Sequence, residues 1–297
     1  MSIPVFVISD LHIGSGGIRD SFVQFNRDSC FSKFLDYVEK EGGELIILGD
    51  FIDLWRFSLK KIIRERIDLL DRLAAMKVSC IPGNHDHALT GFIDTSDVPH
   101  PFFRKILKPC IRTFGGKKIS FFHGHELDIY NRNLTPRIGR ILGVSSSWVE
   151  YIRGYPVFSS ENIEEALLNI EEKFFVFYFN VMSQLNKFLN ISEIFESIQV
   201  LPRQKRIEKQ ILKHEYKKII EGNDISISAH THRQCRFQDW YFNSGSWTDQ
   251  TNDFLRILPD GKVDLFIWDT DTPRFNNIEI RSSSFYSKIK GNYVLAN

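Results

Sequence analysis

Five short clusters of histidine, acid and amide residues form the part of this chain that could do chemistry. In chain order they read SDLHIG (9–14), GDFID (49–53), GNHDH (83–87), HGHE (123–126) and AHTH (229–232), and they hold seven of the nine histidines. Imidazole, carboxylate and amide oxygen together suit divalent manganese, iron, cobalt or zinc. The clusters therefore predict a hydrolytic site that holds two metal ions.

The spacing within the clusters indicates how two ions could share one site. Asp10 and His12 lie two apart at the end of a strand-like run, so both face the same side and can chelate one ion. Asp50 follows the run ELIILG, and its two oxygens can each take one ion at a separation of about 3.5 to 4 Å. Imidazole and amide donors would complete the two ligand shells, and these are Asn84, His123, His230 and His232. Water between two such cations becomes hydroxide near neutral pH and attacks an electrophile, for which phosphorus esters are the natural substrates.

Each cluster follows an apolar run that is typical of a buried strand. These runs are VFVIS, ELIIL, VSCIP, KISFF and ISIS. Ligand sites of such sheets lie beyond the carboxyl ends of the strands, so the five tips can converge although about 220 residues separate the first from the last. The fold as a whole, and not one loop, is expected to assemble the site.

Helical periodicity alternates with these strands. One helix is predicted on Phe31, Phe34, Leu35 and Val38 before Gly42, and another on Ile63, Ile67, Leu70, Leu73 and Ala74. The alternation predicts a layered α/β core. After residue 232, alternating runs around a turn at 259–262 predict antiparallel hairpins, and 271–297 is expected to be a polar tail.

About a hundred residues separate HGHE from AHTH, which predicts an insertion at 130–222 between two core segments, 1–129 and 223–270. Residues 161–200 are rich in aromatic and aliphatic side chains, and 203–218 are strongly basic with isoleucines at helical spacing. The basic helix is either a solvated amphipathic face or, beside an aromatic groove, a clamp for an anionic headgroup. The second interpretation makes the insertion a helical cap over a lipid substrate.

Composition limits the partners and the compartment. A net charge of +1 gives no support for a nucleic-acid partner. The four cysteines are scattered, as expected of reduced thiols in a cytosolic protein. The run FFVFYF (174–179) is too short to span a bilayer, and no signal-like segment precedes the first strand. We expect a cytoplasmic protein, with peripheral contact at the inner membrane surface through the cap as an option and the oligomeric state left open.

The ordered motifs DLH, GDFID, GNHD, HGH and AHTH resemble those of the calcineurin-like metallophosphoesterase superfamily, with Ala229 in place of the usual glycine. The resemblance implies a sandwich of central mixed sheets flanked by helices. It also implies two divalent ions, manganese first and iron, zinc or cobalt as alternatives. One ion would be held by Asp10, His12, Asp50 and His232, and the other by Asp50, Asn84, His123 and His230.

The same resemblance implies the catalytic roles. His85 would be the general acid over the leaving-group oxygen, oriented by the adjacent Asp86. Asp53 would fix a metal-binding histidine. His87 is expected near the site or exposed and not as a ligand, and His100 and His214 are expected at the surface.

Within the superfamily, GDFIDLW, HGHELD, AHTHR and YFNSGSW resemble the UDP-2,3-diacylglucosamine hydrolase branch. That branch splits a nucleotide pyrophosphate into a lipid sugar monophosphate and UMP, and its insertion covers acyl chains. Its best-known members carry arginine where this chain has His85 and aspartate where it has His125. We expect Arg233 to bind substrate, and His125 either to line the substrate pocket or to be an ordinary loop residue.

Two rival functions remain at this stage. A nuclease or a cyclic-nucleotide phosphodiesterase could use the same core, but a nuclease should present a wide basic surface. A non-catalytic scaffold should lack ligands, whereas this chain has the complete set. The sequence therefore favours hydrolysis of a phosphodiester or pyrophosphate in a small-molecule or lipid-linked substrate.

Overall fold

The computed structural model of the chain describes residues 3–17, 20–24, 27–127, 222–248 and 251–276, together with Ile211 and His214. The predicted cap at 130–222 lies outside the described residues apart from three positions, as do the FFVFYF run and the tail from 277 onward. Within the described part, no helix combines the length and the apolar character that crossing a bilayer requires.

The described residues form eleven strands and four α-helices. The strands are β1 (Val5–Ile8), β2 (Glu44–Leu48), β3 (Ser79–Ile81), β4 (Cys110–Phe114), β5 (Lys117–Phe121), β6 (Ile225–Ser228), β7 (Cys235–Phe237), β8 (Tyr241–Asn243), β9 (Asp253–Ile257), β10 (Val263–Asp269) and β11 (Thr272–Phe275). The helices are α1 (Ser21–Gln24), α2 (Arg27–Lys40), α3 (Leu59–Glu65) and α4 (Ile67–Ala75). Short 3₁₀ helices cover His87–Phe92, Pro101–Lys105 and His125–Leu127.

The strands make two mixed sheets. In the described chain the first sheet has the order β11-β10-β9-β1-β2-β3 and the second β4-β5-β6-β8-β7. Strands β1, β2 and β3 are parallel neighbours in the first sheet, and β5, β6 and β8 are parallel neighbours in the second. All five strands predicted to carry ligands are present.

The alternation of side chains along β1 shows how the layers stack. Phe6 and Ile8 are buried against the helices, whereas Val5 and Val7 are buried against the second sheet. Each such side chain stabilises the fold by about 1.5 to 3 kcal/mol relative to exposure. A third apolar cluster, which includes Ile211, covers part of the second sheet. The layered α/β sandwich predicted from the sequence is confirmed.

Helix α2 buries Phe31, Phe34, Leu35 and Val38, as predicted. The second predicted helix is interrupted at Arg66, which separates α3 from α4, and Ile67 is 41% exposed instead of buried. The reason is tertiary, because the Arg66 guanidinium donates to the carbonyl of Gly14 and to the carboxylate of Asp20. An arginine anchored in this way fixes its backbone at φ −122° and ψ 23°, which is not helical.

The predicted hairpin after the fifth cluster is confirmed by β9 and β10, which pair antiparallel around a turn with Gly261 at φ 78°. The predicted start of the tail at 271 is wrong, because Thr272–Phe275 forms strand β11 on the edge of the first sheet. A turn with Thr270 at φ 50° returns the chain onto β10.

Candidate metal centre

The carboxyl ends of five strands bring the predicted ligands to one edge of the sandwich. Asp10, Asp50 and Asn84 follow the parallel neighbours β1, β2 and β3. His123 and His230 follow β5 and β6 in the other sheet. The loops are joined directly, because the Asp10 amide donates to the Gly49 carbonyl (3.0 Å) and the His230 amide donates to the Asp10 carboxylate (3.2 Å).

Three overlapping groups of side chains could each hold a metal ion. Each group offers nitrogen and carboxylate oxygen atoms that lie within 4.8 Å of one another. The groups are Asp10 with His12 and His232, Asp50 with His123 and His230, and Asp50 with His12 and His85. Asp50 belongs to two groups, which is the position that a bridging carboxylate requires.

The individual distances place Asp50 between the two sides of the site. Its Oδ2 lies 3.6 Å from His12 Nε2 and 3.4 Å from His123 Nε2. Asp10 Oδ1 lies 3.1 Å from His232 Nε2, and Asn84 Oδ1 lies 3.3 Å from His123 Nε2. Each of these pairs is close enough for one metal ion to contact both donor atoms.

The backbone around the site is strained. Among the described residues, nine non-glycine residues have positive φ, and five of them belong to the predicted ligand set. These five are Asp10, His12, Asp50, His230 and His232. A left-handed conformation costs about 1 to 2 kcal/mol for an L-residue, and such strain collects at functional sites.

Backbone and side-chain partners orient two of the histidines. His123 Nδ1 lies 2.8 Å from the Leu48 carbonyl, and a carbonyl can only accept, so Nδ1 carries the proton and Nε2 is available to a metal. His232 Nδ1 lies 3.1 Å from the Thr248 hydroxyl, which leaves its Nε2 facing Asp10. Partners of this kind fix the tautomer and the ring orientation of metal-binding histidines.

Two glycines make room for the site. A Cβ on Gly49, which has φ +87°, would lie 2.5 Å from Cγ of His123 and closer still to its Nδ1. A Cβ on Gly83 would lie 2.7 Å from the Asp50 amide nitrogen and 2.8 Å from Cδ2 of His123. Both glycines are therefore required for the close approach of the Asp50 and His123 loops.

The charges of the site respond to each other. Burial lowers the pKa of the His123 imidazole, but the Asp50 and Asp10 carboxylates outweigh burial and raise that pKa to about 10. Burial raises the pKa of Asp10, but His232 and His123 outweigh it and lower that pKa to about 2. Burial lowers the pKa of His12 to about 3. In the metal-free protein the positive charge of protonated His123 therefore partly offsets the negative charges of the two carboxylates. A bound cation would replace that positive charge.

The donor set fits divalent metal ions. Asp10 Oδ1 and His12 Nε2 are buried without a well-aligned hydrogen bond among the described residues, and the nearest histidine nitrogen to Asp10 Oδ1 is the ion-pair partner His232 Nε2 at 3.1 Å. Burying a polar atom without a hydrogen bond costs free energy. The two buried atoms therefore indicate a ligand that supplies the missing interaction. The Asp10 carboxylate oxygen and the unprotonated ring nitrogen of a neutral His12 can each donate a lone pair to a metal ion, and the lowered pKa of His12 keeps it neutral.

His85, a member of the third group, is held on two sides. Its Nδ1 lies 3.1 Å from Asp53 Oδ1, and its ring stacks on the indole of Trp55 with centroids 3.7 Å apart and planes 20° apart. Asp53 is buried and also pairs with Arg56 (3.0 Å). A ring nitrogen of His85 belongs to a ligand group with Asp50 and His12, so the ring borders the site.

The prediction that Asp86 orients His85 is wrong. The Asp86 carboxylate is fully buried and accepts hydrogen bonds from backbone amides of Gly83 (2.6 Å), Asp50 (3.3 Å) and Phe51 (2.8 Å). Asp86 therefore shapes the loop after β2, and Asp53 occupies the position beside His85. Burial and the nearby Asp50 carboxylate raise the Asp86 pKa to about 7.

A family model described as calcineurin-like phosphoesterase matches residues 3–275, which is nearly the whole sequence. This chain belongs to the calcineurin-like phosphoesterase family. Calcineurin-like phosphoesterases are metal-dependent hydrolases of phosphoester bonds, and this chain is such an enzyme. The family typically binds two divalent ions, which the grouped aspartates and histidines fit. No curated protein matches the sequence.

The remaining predicted residues lie at different distances from the phosphoesterase centre. His125 borders it, with its ring centroid 5.4 Å from that of His123, and its Nδ1 lies 3.6 Å from Glu126. Arg233 and His87 are exposed, and the His87 ring is 5.9 Å from that of His125. His100 was predicted at the surface but is buried, because its Nδ1 caps the Pro101–Lys105 turn by accepting from the Phe102 amide.

Two residues of the phosphoesterase centre were missed by the sequence argument. Trp55 stacks on His85, and Thr248 contacts His232. Trp55 lies in the motif GDFIDLW, and Thr248 directly follows YFNSGSW. Their positions next to a metal motif were the available signal, but neither residue type is a metal ligand.

Proposed function

We propose that this phosphoesterase is a dinuclear enzyme that cleaves a phosphodiester or pyrophosphate bond. The observation that carries the proposal is the shared position of Asp50 between two groups of potential ligands, with His85 at their border. In the proposed assignment, one ion is held by Asp10, His12, Asp50 and His232. The other ion is held by Asp50, Asn84, His123 and His230.

We propose manganese as the native metal, with iron, zinc or cobalt as the alternatives. The mixture of imidazole, carboxylate and amide donors supports this range and excludes a preference for an all-oxygen or all-thiolate ion. When bound, two such ions supply an activated water and neutralise charge on the phosphoryl group. The protein residues supply position and a proton.

His85 is proposed to give that proton to the departing oxygen. Asp53 accepts from its Nδ1, which leaves Nε2 as the nitrogen that can face a substrate. A positioned histidine acid is worth about 10²- to 10⁴-fold in rate. Asp53 thus takes the orienting role, and Asp86 acts on the backbone of the Asp50 loop.

We propose a nucleotide-linked or lipid-linked substrate of the kind that the UDP-2,3-diacylglucosamine hydrolase branch uses. The motifs GDFIDLW and YFNSGSW support this branch. The first borders the centre through Asp53 and Trp55, and the second through Trp247, whose amide donates to the Asp10 carbonyl at 3.1 Å. His125 and Arg233 are proposed to contact the substrate. Apart from Ile211, His214 and Gly222, the proposed cap at 130–222 lies outside the described residues, as does its proposed contact with acyl chains or with the inner membrane surface.

The experiment separates metal binding from proton transfer. The full chain is stripped of metal, reloaded in turn with manganese, zinc, cobalt and iron(II), and assayed on a UDP-linked lipid, cyclic nucleotides, bis(p-nitrophenyl) phosphate and DNA at two salt concentrations. His85→Ala should retain metal and lose about 10²- to 10⁴-fold in kcat, whereas Asp50→Ala should lose metal. Equal metal loss in both variants would refute the division of roles, and inactivity with every ion would favour a scaffold.

A further inference from the structure

We propose that Trp55 is a positioning residue that sets the ring of His85 for proton transfer. The proposal rests on the proposed function, since it concerns the acid of that same site. Nothing in the sequence motif alone assigns a task to this tryptophan. Three contacts of the described residues carry the argument.

The first contact is between ring faces. The indole of Trp55 lies 3.7 Å from the imidazole of His85, measured between centroids, with an angle of 20° between the planes. Stacking over one face stops the imidazole from rotating about its Cβ–Cγ bond in that direction. The ring of His12 also packs against the imidazole in a T-shaped contact, with the centroids 4.3 Å apart and the planes at 88°.

The second contact fixes the tryptophan itself. Its Nε1 donates to the carbonyl of Asn84 at 3.0 Å. This carbonyl belongs to the peptide bond between Asn84 and His85. Trp55 therefore holds both the backbone and the ring of the same residue. The Trp55 amide in turn donates to Asp53 Oδ1 at 3.2 Å, so that the indole and the carboxylate that bind His85 come from one short turn.

The third contact limits the ring in its own plane. Asp53 Oδ1 lies 3.1 Å from His85 Nδ1, and Arg56 holds the other oxygen of the carboxylate at 3.0 Å. The carboxylate thus fixes the direction of the ring, and the indole fixes its plane. A displacement of about 1 Å in such a group can cost about 10²-fold in rate.

The kinetic consequence depends on the leaving group. An acid matters when the departing oxygen is a poor leaving group, because a poor leaving group needs a proton, and it matters little for p-nitrophenolate. We expect Trp55→Leu to lower kcat by about 10- to 100-fold on alkyl or phenyl phosphodiesters and by less than about threefold on bis(p-nitrophenyl) phosphate. Trp55→Phe keeps a ring face and should recover most of the rate.

A double-mutant cycle tests whether the loss passes through His85. In the His85→Ala background, Trp55→Leu should cause less than about a twofold further loss on the poor leaving groups, because contacting residues that act as a unit are not additive. Additive losses would overturn the proposal. Trp240→Leu is the matched control, since its indole also donates to a nearby side chain (Gln238 Oε1, 3.1 Å) but lies on the turn between β7 and β8.

A readout without activity separates this proposal from the proposed function. In the metal-free chain, the ring protons of His85 should shift downfield in NMR spectra on Trp55→Leu, because the indole ring current is lost, and should stay in place on Trp240→Leu. Unchanged His85 shifts would overturn the positioning role whatever the activity. A wild type that shows the stack by NMR but hydrolyses no phosphoester with any divalent ion would instead refute the proposed function, and with it the role of the stack in catalysis.

Discussion

Replacing Gly49, in the loop after β2, by alanine tests whether the missing Cβ at this position is what leaves room for the His123 ring. The new Cβ would lie 2.5 Å from Cγ of the imidazole, whereas carbon atoms in contact prefer about 3.5 to 4.0 Å. The ring must therefore move by about 1 Å. That movement disrupts the hydrogen bond from its Nδ1 to the Leu48 carbonyl and displaces Nε2, which lies 3.4 Å from Asp50 Oδ2.

The expected loss in the free energy of unfolding of Gly49→Ala has two contributions. Positive φ costs an alanine about 1 to 2 kcal/mol, and the lost hydrogen bond costs about 1 kcal/mol more. Gly42→Ala is the matched control, because Gly42 also has positive φ (+62°) but no described atom lies within 4 Å of the added Cβ. It should lose only the backbone contribution to the free energy of unfolding.

Metal binding distinguishes the two variants more sharply. Ligand distances in metal sites hold to about 0.2 Å, so a 1 Å shift of His123 removes a ligand. We expect Gly49→Ala to bind manganese at least about 10- to 100-fold more weakly in calorimetric titrations, and Gly42→Ala to match the wild type. Urea unfolding of the metal-free variants supplies the stability difference. A Gly49→Ala protein with wild-type manganese affinity would refute the assignment of His123 as a ligand seated by this glycine.

Two further predictions concern His232 and His123. Thr248→Val should weaken metal binding by about 10- to 100-fold with little change in fold, because His232 loses the partner of its Nδ1; circular dichroism and metal titration together check this. The pKa of His123 is raised to about 10 from 6.5, so its contribution to the stability of the metal-free protein is complete below pH 6.5 and lost as pH rises towards 10. Metal must displace that proton, so manganese affinity should rise with pH over the same window, by up to about tenfold per unit. Calorimetric titrations in buffers of different ionisation enthalpy measure the protons released on metal binding. The absence of proton release at pH 8 would contradict this prediction.

The strands and the convergence of the candidate ligands could be predicted because both follow from local patterns. An apolar run specifies a buried strand, and polar donors after it must lie at the sheet edge. The reason given for Asp10 and His12 was nevertheless wrong, because β1 ends at Ile8 and both residues lie in a left-handed loop. They converge through the bonds of that loop to the loop after β2, such as His12 amide to Asp50 carbonyl at 2.9 Å.

What could not be predicted depends on partners far away in the chain. Asp86 is adjacent to His85 in sequence, whereas Asp53 lies 32 residues away. The backbone amides that surround Asp86 decide which of the two acids contacts His85. The break between α3 and α4 likewise depends on where Arg66 finds its acceptors in the loop after β1. Neither choice leaves a mark in hydrophobic periodicity, which reports only which faces are buried.

The strained backbone of the predicted ligands explains why Asp86 contributes to the site through backbone hydrogen bonds. A left-handed Asp50 costs about 1 to 2 kcal/mol, and five such positions together reach the range of a domain's whole net stability, about 5 to 15 kcal/mol. Such strain persists only where surrounding bonds over-determine the backbone. Asp86 supplies those bonds, since one buried carboxylate binds amides from the loops after both β2 and β3. Asp86, the acid next to His85 in sequence, therefore holds the shape of the loop that carries the proposed bridging residue Asp50, and His85, the proposed proton donor, takes its orientation from Asp53 instead.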